Sequence, residues 1–144
     1  MAKGSCLCGA IRFEVDEAGI VLGVGCFCTK CRKVSGAQNG VYFQVKRRAF
    51  RWICGEDAVG RYESSPGNHR AFCKTCGSVA PIETFYGAVR VPGGGFDEDP
   101  AAKAQVNLFV ADRADWCDID AVARNFDDTG PEDFWRGVIV QLHT

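Results

Sequence analysis

Nine cysteines among 144 residues constrain what this chain can fold into more than any other feature of its sequence. Seven of them form groups in which only one or two residues separate neighbouring thiols. These seven are Cys6 and Cys8, then Cys26, Cys28 and Cys31, and finally Cys73 and Cys76. Close spacing of this kind favours thiolate–metal bonds over a scaffold of disulfides. We therefore expect the fold to be organised around bound metal.

The cysteine groups differ in the number of ligands that they supply. The pairs in Cys6-Leu7-Cys8 and Cys73-Lys74-Thr75-Cys76 together provide four thiols, the complete ligand set of a tetrahedral structural zinc site. The triplet in 26–31 provides three thiols, which leaves one coordination position open, as in catalytic zinc sites. The sequence thus predicts two zinc ions per chain, one in a closed site and one in an open site.

The partition of the thiols has an alternative, because a sequence does not show which of them meet in space. Cys54 could complete a closed site with the triplet. Otherwise Cys54 and Cys117 are expected to be small buried core residues, since unpaired cysteine is among the most buried residue types. His69 and His143 have no partner at ligand spacing, and we expect them in solvated or turn positions.

Length and composition limit the class of protein. A chain of 144 residues fits one domain, 1–144. With 17 basic and 18 acidic residues, its net charge of -1 offers no electrostatic footprint for a nucleic-acid backbone. No apolar run approaches the roughly 20 residues that span a bilayer, and the first residues lack a signal-peptide core. We expect a cytoplasmic protein that binds neither nucleic acid nor membrane.

Short strand patterns separated by turn residues predict a mainly β fold of antiparallel sheets. Residues 10–15 alternate between apolar and polar side chains, and 20–24 form a short apolar run. A turn is expected at 3–9, and single helical turns at 32–37 and 97–102. Further strands are expected at 41–45, 49–53, 59–63, 78–82, 84–91 and 105–110.

The segment after Ala111 has no clear secondary-structure pattern. It contains four bulky aromatic residues among acidic ones, Trp116, Phe126, Phe134 and Trp135. Aromatic side chains in a small domain usually cap the core or cover a sheet edge; a homodimer interface is the alternative. We therefore divide the domain into a core of about 3–116 and a tail of 117–144.

An open zinc site with three thiolates favours particular chemistry. Such a site can bind an incoming thiol, lower its pKa or polarise a carbonyl group. Three anionic ligands make the metal a weak Lewis acid, which favours a soft sulfur nucleophile over hydroxide. Lys30, Arg32 and Lys33 flank the triplet and either attract an anionic substrate or form a solvated face.

Four segments carry motifs that extend beyond the cysteines. They are Gly4-Ser5-Cys6-x-Cys8-Gly9-Ala10, Cys26-x-Cys28-x-x-Cys31-Arg32-Lys33-x-Ser35-Gly36, Ser64-Ser65-Pro66-Gly67 and Arg70-x-Phe72-Cys73-x-x-Cys76-Gly77-Ser78. In these motifs, from Gly4 to about Trp116, the chain resembles the glutathione-dependent formaldehyde-activating enzyme family, also called the centromere protein V family. Seven cysteines stand in the family's order.

The resemblance implies a fold, two zinc sites and a reaction. The fold is Mss4-like, with packed antiparallel sheets and zinc knuckles. The reaction is that of a carbon–sulfur lyase, in which glutathione sulfur adds to formaldehyde or a related aldehyde and gives S-hydroxymethylglutathione. The implied ligands are Cys6, Cys8, Cys73 and Cys76 for a structural zinc, and Cys26, Cys28 and Cys31 for a catalytic zinc.

The chain departs from the family pattern at one position. Where family members often carry histidine in a strand resembling His-Ile-Phe-Val, this chain has Asn107-Leu108-Phe109-Val110. Any acid–base or ligand role of that histidine is lost or altered, although asparagine can still orient a substrate by hydrogen bonds. Mss4-like folds also permit another class of function, a non-enzymatic module that is stabilised by zinc and binds a protein.

Overall fold

The computed structural model of the chain describes residues 1–119 and 123–144. Within these residues it contains eleven β-strands and two α-helices, so the prediction of a mainly β fold is confirmed. The strands are β1 Ala2–Ser5, β2 Arg12–Val15, β3 Ile20–Cys26, β4 Gly40–Lys46, β5 Phe50–Cys54, β6 Val59–Ser65, β7 Asn68–Cys73, β8 Ile82–Glu83, β9 Ala88–Pro92, β10 Ala104–Leu108 and β11 Arg124–Asn125. The helices are α1 Thr29–Ser35 and α2 Glu132–His143. Neither helix is long and apolar enough to cross a membrane.

The strands form two sheets and a separate hairpin. The first sheet has the order β1-β2-β5, and the second has the order β11-β10-β3-β4-β9-β8. Strands β6 and β7 pair with each other. Most pairings are antiparallel, as predicted, but β10 runs parallel to both of its neighbours, β3 and β11. The larger sheet is therefore mixed.

Two strands show how the sequence pattern determines burial. In β2, Phe13 and Val15 are buried, whereas Arg12 is exposed and Glu14 is half-buried, which is the alternation expected of a strand with one face in the core. Strand β3 is buried from Leu22 onward, because it lies inside the larger sheet and both of its faces are covered. This buried strand ends at Cys26, the first thiol of the triplet.

The core has two layers, one on each face of the six-stranded sheet. On one face, side chains of β4 and β9 pack against Phe13, Val15 and Phe50 of the three-stranded sheet. On the other face, β3 and β10 pack against Val138 and Leu142 of α2. A smaller cluster joins the β6–β7 hairpin to the turn that follows β1. In this arrangement the C-terminal end of β3 lies close to the β6–β7 hairpin.

Helix α2 is the largest element that the sequence did not predict. Its apolar residues Phe134, Val138 and Leu142 recur every four positions, which places them on one face of a helix. Pro131 directly precedes the helix, and Glu132 and Asp133 occupy its first turn, both of which are start signals. This four-residue spacing is visible in the sequence, but only three apolar residues follow it, so it did not predict a helix. Residues 120–122 of the predicted tail lie outside the described residues.

Three local predictions are wrong. Residues 3–9 do not form one continuous turn, because β1 occupies Ala2–Ser5 and pairs with β2. Residues 97–102 are not helical. The amide of Asp97 donates to the carbonyl of Lys3 at 2.9 Å, and its carboxylate accepts from the Ser5 hydroxyl at 2.6 Å, so this segment is bound to β1 instead.

The region between Ser78 and Val91 also differs from its prediction. It contains only the short β8 and the later β9, because a turn separates them. In that turn the amide of Thr84 donates to Ala88 O, and the amide of Gly87 donates to Thr84 O. The remaining predicted strands are present, with ends that differ by a few residues.

Candidate metal centres

The turn after β1 and the end of β7 bring four thiols together. The sulfur atoms of Cys6, Cys8, Cys73 and Cys76 all lie within 4.8 Å of one another. Cys6 Sγ lies 3.5 Å from Cys8 Sγ, which in turn lies 3.8 Å from Cys73 Sγ. Four sulfurs at tetrahedral positions about 2.3 Å from zinc would be separated by roughly 3.8 Å. The arrangement therefore fits a tetrahedral metal ion.

Backbone hydrogen bonds hold the cysteines of this four-thiol cluster in place. The amide of Ile11 donates to Cys6 Sγ at 3.3 Å, and the amide of Gly77 donates to Cys73 O at 2.8 Å. Gly77 has φ of 77°, a left-handed conformation that glycine adopts at little cost. These contacts explain why a glycine follows the second cysteine of the pair.

The four thiols do not share negative charge equally. Hydrogen bonds from the hydroxyl and amide of Ser78 lower the pKa of Cys76 to about 5. The pKa of Cys8 is raised to about 11: the amide of Ala10 acts to lower it, but this is outweighed by its hydrogen bond with Cys6 and the neighbouring thiols. A bound cation is what would allow all four to be thiolates at once.

The triplet lies at the junction between β3 and α1. Cys26 ends β3, Cys28 precedes the first helical residue, and Cys31 lies in the first turn of α1. Their sulfur atoms lie within 4.8 Å of one another, and Cys28 Sγ accepts a hydrogen bond from the amide of Cys31 at 3.4 Å. Gly36, with φ of 64°, ends the helix, as the sequence predicted.

The two remaining cysteines lie away from both clusters. Cys54 is exposed on β5, and its thiol is 3.9 Å from Ala10 O, so the alternative in which Cys54 closes the triplet is wrong. The expectation that Cys54 is buried is also wrong. Cys117 is buried beside Phe27 and Ala114, as expected. The described part of the chain therefore brings three cysteines, not four, to the triplet.

A buried arginine contacts the triplet. Arg70, on β7, is only 9% exposed and donates from Nη1 to Cys31 Sγ at 3.4 Å. Its Nε donates to Ser64 Oγ at 3.1 Å, which fixes the guanidinium plane. Arg70 belongs to one of the four sequence motifs, but the sequence predicted no role for it. The sequence signal that could have identified Arg70 is its position three residues before Cys73, in a strand that is apolar between these two residues.

Arg70 and the neighbouring thiols determine where negative charge resides in the triplet. The pKa of Cys31 is lowered to about 5, first by a hydrogen bond from Cys26 and then by the positive charge of Arg70, although burial opposes both. The pKa of Cys26 is raised far above its usual value by its hydrogen bond with Cys31 and by burial. These surroundings therefore favour negative charge on Cys31 over Cys26.

The triplet opens into a cavity of about 450 Å³. This volume lies within the range of small-molecule sites. Its wall contains all three thiols, three cationic side chains and four aromatic rings. The cationic residues are Lys30, Arg70 and Arg90, and the aromatic residues are Tyr42, Tyr86, Phe109 and Trp135.

The residues that flank the triplet have different surroundings. Lys30 lines the cavity, whereas Arg32 Nη1 donates to the carbonyl of Asp112 at 2.7 Å and Lys33 is exposed. Of the three basic residues, one therefore faces the space where a substrate would bind. The two histidines lie elsewhere: His69 Nε2 is 3.2 Å from the Glu63 carboxylate, and His143 Nε2 is 3.1 Å from Tyr86 O.

Asn107 does not line this cavity. It is buried on β10, opposite Gly25 of β3, and its Nδ2 donates to Asn125 Oδ1 at 2.9 Å. A Cβ atom at position 25 would lie 2.6 Å from Asn107 Oδ1, so glycine is needed there for the amide to fit. Asn107 instead borders a separate depression with Phe27.

Comparison with known proteins identifies the family. The sequence model of the glutathione-dependent formaldehyde-activating enzyme family matches residues 1–112. The chain belongs to this family. A Halomonas elongata protein that is provisionally named a glutathione-dependent formaldehyde-activating enzyme is 28% identical over 131 residues, which cover 84% of this chain and 82% of that protein.

A solved structure supports the fold of this member of the glutathione-dependent formaldehyde-activating enzyme family. The crystal structure of a Rhodobacter sphaeroides protein superposes with a TM-score of 0.54 at 22% sequence identity, covering 66% of this chain and 87% of that one. The family match contains both cysteine clusters, Arg70 and Arg90, whereas α2 and its Trp135 follow it. Part of the cavity wall thus comes from outside the matched region.

Proposed function

We propose that the chain is a zinc-dependent carbon–sulfur lyase that adds a small thiol such as glutathione to formaldehyde or a related carbonyl compound. The sulfur forms a bond to the carbonyl carbon, the C=O π electrons move to oxygen, and the thiol proton ends on that oxygen. With glutathione and formaldehyde the product is S-hydroxymethylglutathione, and the reverse reaction releases both. The observation that carries this proposal is a triplet of thiols that opens into a cavity.

The donor sets suit zinc in two different ways. Thiolate sulfur is a preferred zinc ligand, and we assign the four-thiol cluster to a structural zinc ion and the triplet to a catalytic one. Cys26, Cys28 and Cys31 would hold the second zinc ion, whose open position would lower the pKa of an incoming thiol. Free thiols of this number suit a reducing cytoplasm, which is the location that we propose.

The chain's own residues orient and surround the reactants. Arg70 offsets part of the negative charge of three clustered thiolates and holds Cys31 in place through its hydrogen bond. Tyr42, Tyr86 and Trp135 line the cavity and would provide apolar surroundings for the reacting carbon. Confining the thiol and the carbonyl in one cavity replaces a bimolecular encounter with a positioned one.

The experiment that tests this function is NMR exchange spectroscopy on glutathione mixed with formaldehyde. It compares samples without protein, with zinc-loaded wild type, with Cys28→Ser and with Cys54→Ser, which removes a thiol outside both clusters. We expect faster exchange between free glutathione and its adduct with wild type and Cys54→Ser, and the uncatalysed rate with Cys28→Ser. An uncatalysed rate with wild type at saturating concentration would contradict the proposal and favour a zinc-stabilised interaction module.

A further inference from the structure

Arg90 is a second cation on the wall of the cavity, and the proposed chemistry does not use it. It lies on β9, where its backbone pairs with Gln44 of β4. Its guanidinium carbon lies 5.7 Å from the centre of the Tyr42 ring, and its Nη2 donates to Asn68 Oδ1 at 3.2 Å. These contacts hold the guanidinium at the same cavity as the three thiols.

The described residues supply no carboxylate that balances the charge of Arg90. Among residues 1–119 and 123–144, no carboxylate lies within ion-pair distance of its guanidinium. Its Nε is buried and has no hydrogen-bond partner in the same part of the chain. Arg70 differs, because its guanidinium donates a hydrogen bond to Cys31 Sγ. A half-buried cation without a counter-charge is costly, and an anion that enters the cavity would reduce this cost.

We propose that Arg90 binds a carboxylate group of the thiol substrate and so makes the cavity selective for anionic thiols. This inference rests on the proposed function and names its substrate class. Guanidinium binds carboxylate through two parallel N–H···O bonds, which fixes orientation as well as affinity. Lys30 lines the same cavity and adds a further positive charge. Glutathione, which has two carboxylates, fits these groups, whereas a neutral thiol leaves Arg90 unpaired.

The aromatic surroundings favour an organic carboxylate over a free inorganic anion. The Tyr42 ring lies against the guanidinium, and Tyr86 and Trp135 contribute further apolar area to the wall. Tyr86 donates from its hydroxyl to Gln44 Oε1 at 3.0 Å, and Trp135 Nε1 donates to Thr129 O at 2.6 Å, so both rings are fixed. The cavity thus combines an anion-binding group with rigid walls that contact a carbon chain.

The test measures binding without chemistry. S-methylglutathione keeps both carboxylates but has no free thiol, and its affinity for the zinc-loaded protein is measured by isothermal titration calorimetry. We expect Arg90→Gln to weaken binding roughly tenfold to a hundredfold, the worth of a hydrogen-bonded charge pair, and Arg90→Lys to weaken it less. Arg51→Gln is the matched control, because Arg51 is exposed on β5 and lies outside this cavity. Equal affinities for wild type and Arg90→Gln would overturn the inference.

A second ligand separates a direct contact from a change in the cavity wall. The diethyl ester of S-methylglutathione lacks both negative charges and therefore has no carboxylate for Arg90 to bind. Arg90→Gln should thus weaken binding of the ester much less than binding of the acid, because the interaction that it removes is absent from the ester complex. If Arg90→Gln weakened binding of the ester as much as binding of the acid, Arg90 would affect binding by shaping the cavity wall and not by contacting a carboxylate. The inference would then be wrong.

Two further comparisons keep the result unambiguous. Inorganic phosphate should not displace S-methylglutathione at equal concentration; displacement would contradict assignment to a substrate carboxylate. Thermal unfolding of Arg90→Gln and Arg90→Lys checks that both variants are folded. The two proposals fail separately, since the calorimetry needs no reaction: catalysis without Arg90-dependent binding would reject only this inference, and Arg90-dependent binding without catalysis would reject only the proposed function.

Discussion

The four-thiol cluster and the triplet are made of the same residue type but have different surroundings. In the four-thiol cluster, Cys8 is exposed, and the cluster packs against a small core at the hairpin. In the triplet, Cys26 and Cys31 are buried within the main core, and the cluster borders a cavity. The two clusters therefore differ in the number of thiols that they bring together and in the adjoining space, and our proposal assigns reactivity to the triplet on these two grounds.

Charge separates the two clusters further. Zinc with four thiolates carries a net charge of about −2, which solvent and backbone amides can stabilise at an exposed site. Zinc with three thiolates carries about −1, and in a buried site this charge needs a counter-ion. In our proposal Arg70 supplies that charge, because its Nη1 donates to Cys31 Sγ of the triplet. Arg70 and Cys73 both lie on β7, so this strand connects the two clusters.

The largest effect is expected from breaking the four-thiol cluster. Cys6→Ser removes a buried ligand, and because a structural metal site contributes directly to folding, we expect a loss of ~3 kcal/mol or more in the free energy of unfolding. Denaturation with urea, together with zinc analysis, measures this loss. Cys76→Ser should behave similarly, with Cys54→Ser as the control. Stability close to wild type in both variants would show that the cluster is not structural.

The second prediction concerns the triplet, where we expect a substitution to reduce activity strongly and stability only slightly. Cys28→Ser removes a half-buried triplet ligand that faces the cavity, so we expect at least about a hundredfold loss of glutathione–formaldehyde exchange. The free energy of unfolding should change by only about 1 kcal/mol, since the core around the triplet is large. Exchange spectroscopy and urea denaturation on the same preparation measure both. Loss of folding instead of activity would remove the distinction between the clusters.

The third prediction concerns the counter-ion of the triplet. Arg70→Gln leaves the thiolates without a buried positive charge, and we expect a loss of roughly tenfold in kcat/KM, with partial recovery in Arg70→Lys. A merely structural role would not alter the metal's electronic environment. We therefore expect the thiolate-to-metal absorption of the cobalt-substituted protein to shift in Arg70→Gln at the triplet. An unchanged spectrum together with normal activity would contradict this role.

The sequence was sufficient for the parts of the molecule that depend on short-range spacing. The triplet, the two separate cysteine pairs and most strands follow from neighbouring residues, because ligand spacing and two-residue alternation are local patterns. That the two pairs form one cluster was predicted from the ligand number of a closed zinc site, not from local spacing. Arg70 and Arg90 could not be placed in this way. They reach the cavity only through the pairing of β7 with β6 and of β9 with β4, which is a long-range outcome. Cys54 was misplaced for the same reason, since its strand lies at the edge of a sheet.

The smallest effect is expected at Asn107, the position where the family often has histidine. Asn107 lies on β10 beside the end of β3, yet its side chain bonds to Asn125 and borders a different depression from the one at the triplet. We therefore expect Asn107→His to change the exchange rate by no more than about twofold, although the larger ring beside Gly25 should destabilise the fold by about 1–3 kcal/mol.

Kinetics and urea denaturation of Asn107→His, with Asn107→Asp as a variant of similar size, measure these effects. A rate gain well above twofold in Asn107→His alone would mean that this position communicates with the triplet across β3. In that case the residues that affect the reaction would include some outside the cavity, such as those of the depression beside Asn107. An unchanged rate would confine the chemistry to the three thiols, their cations and the cavity wall.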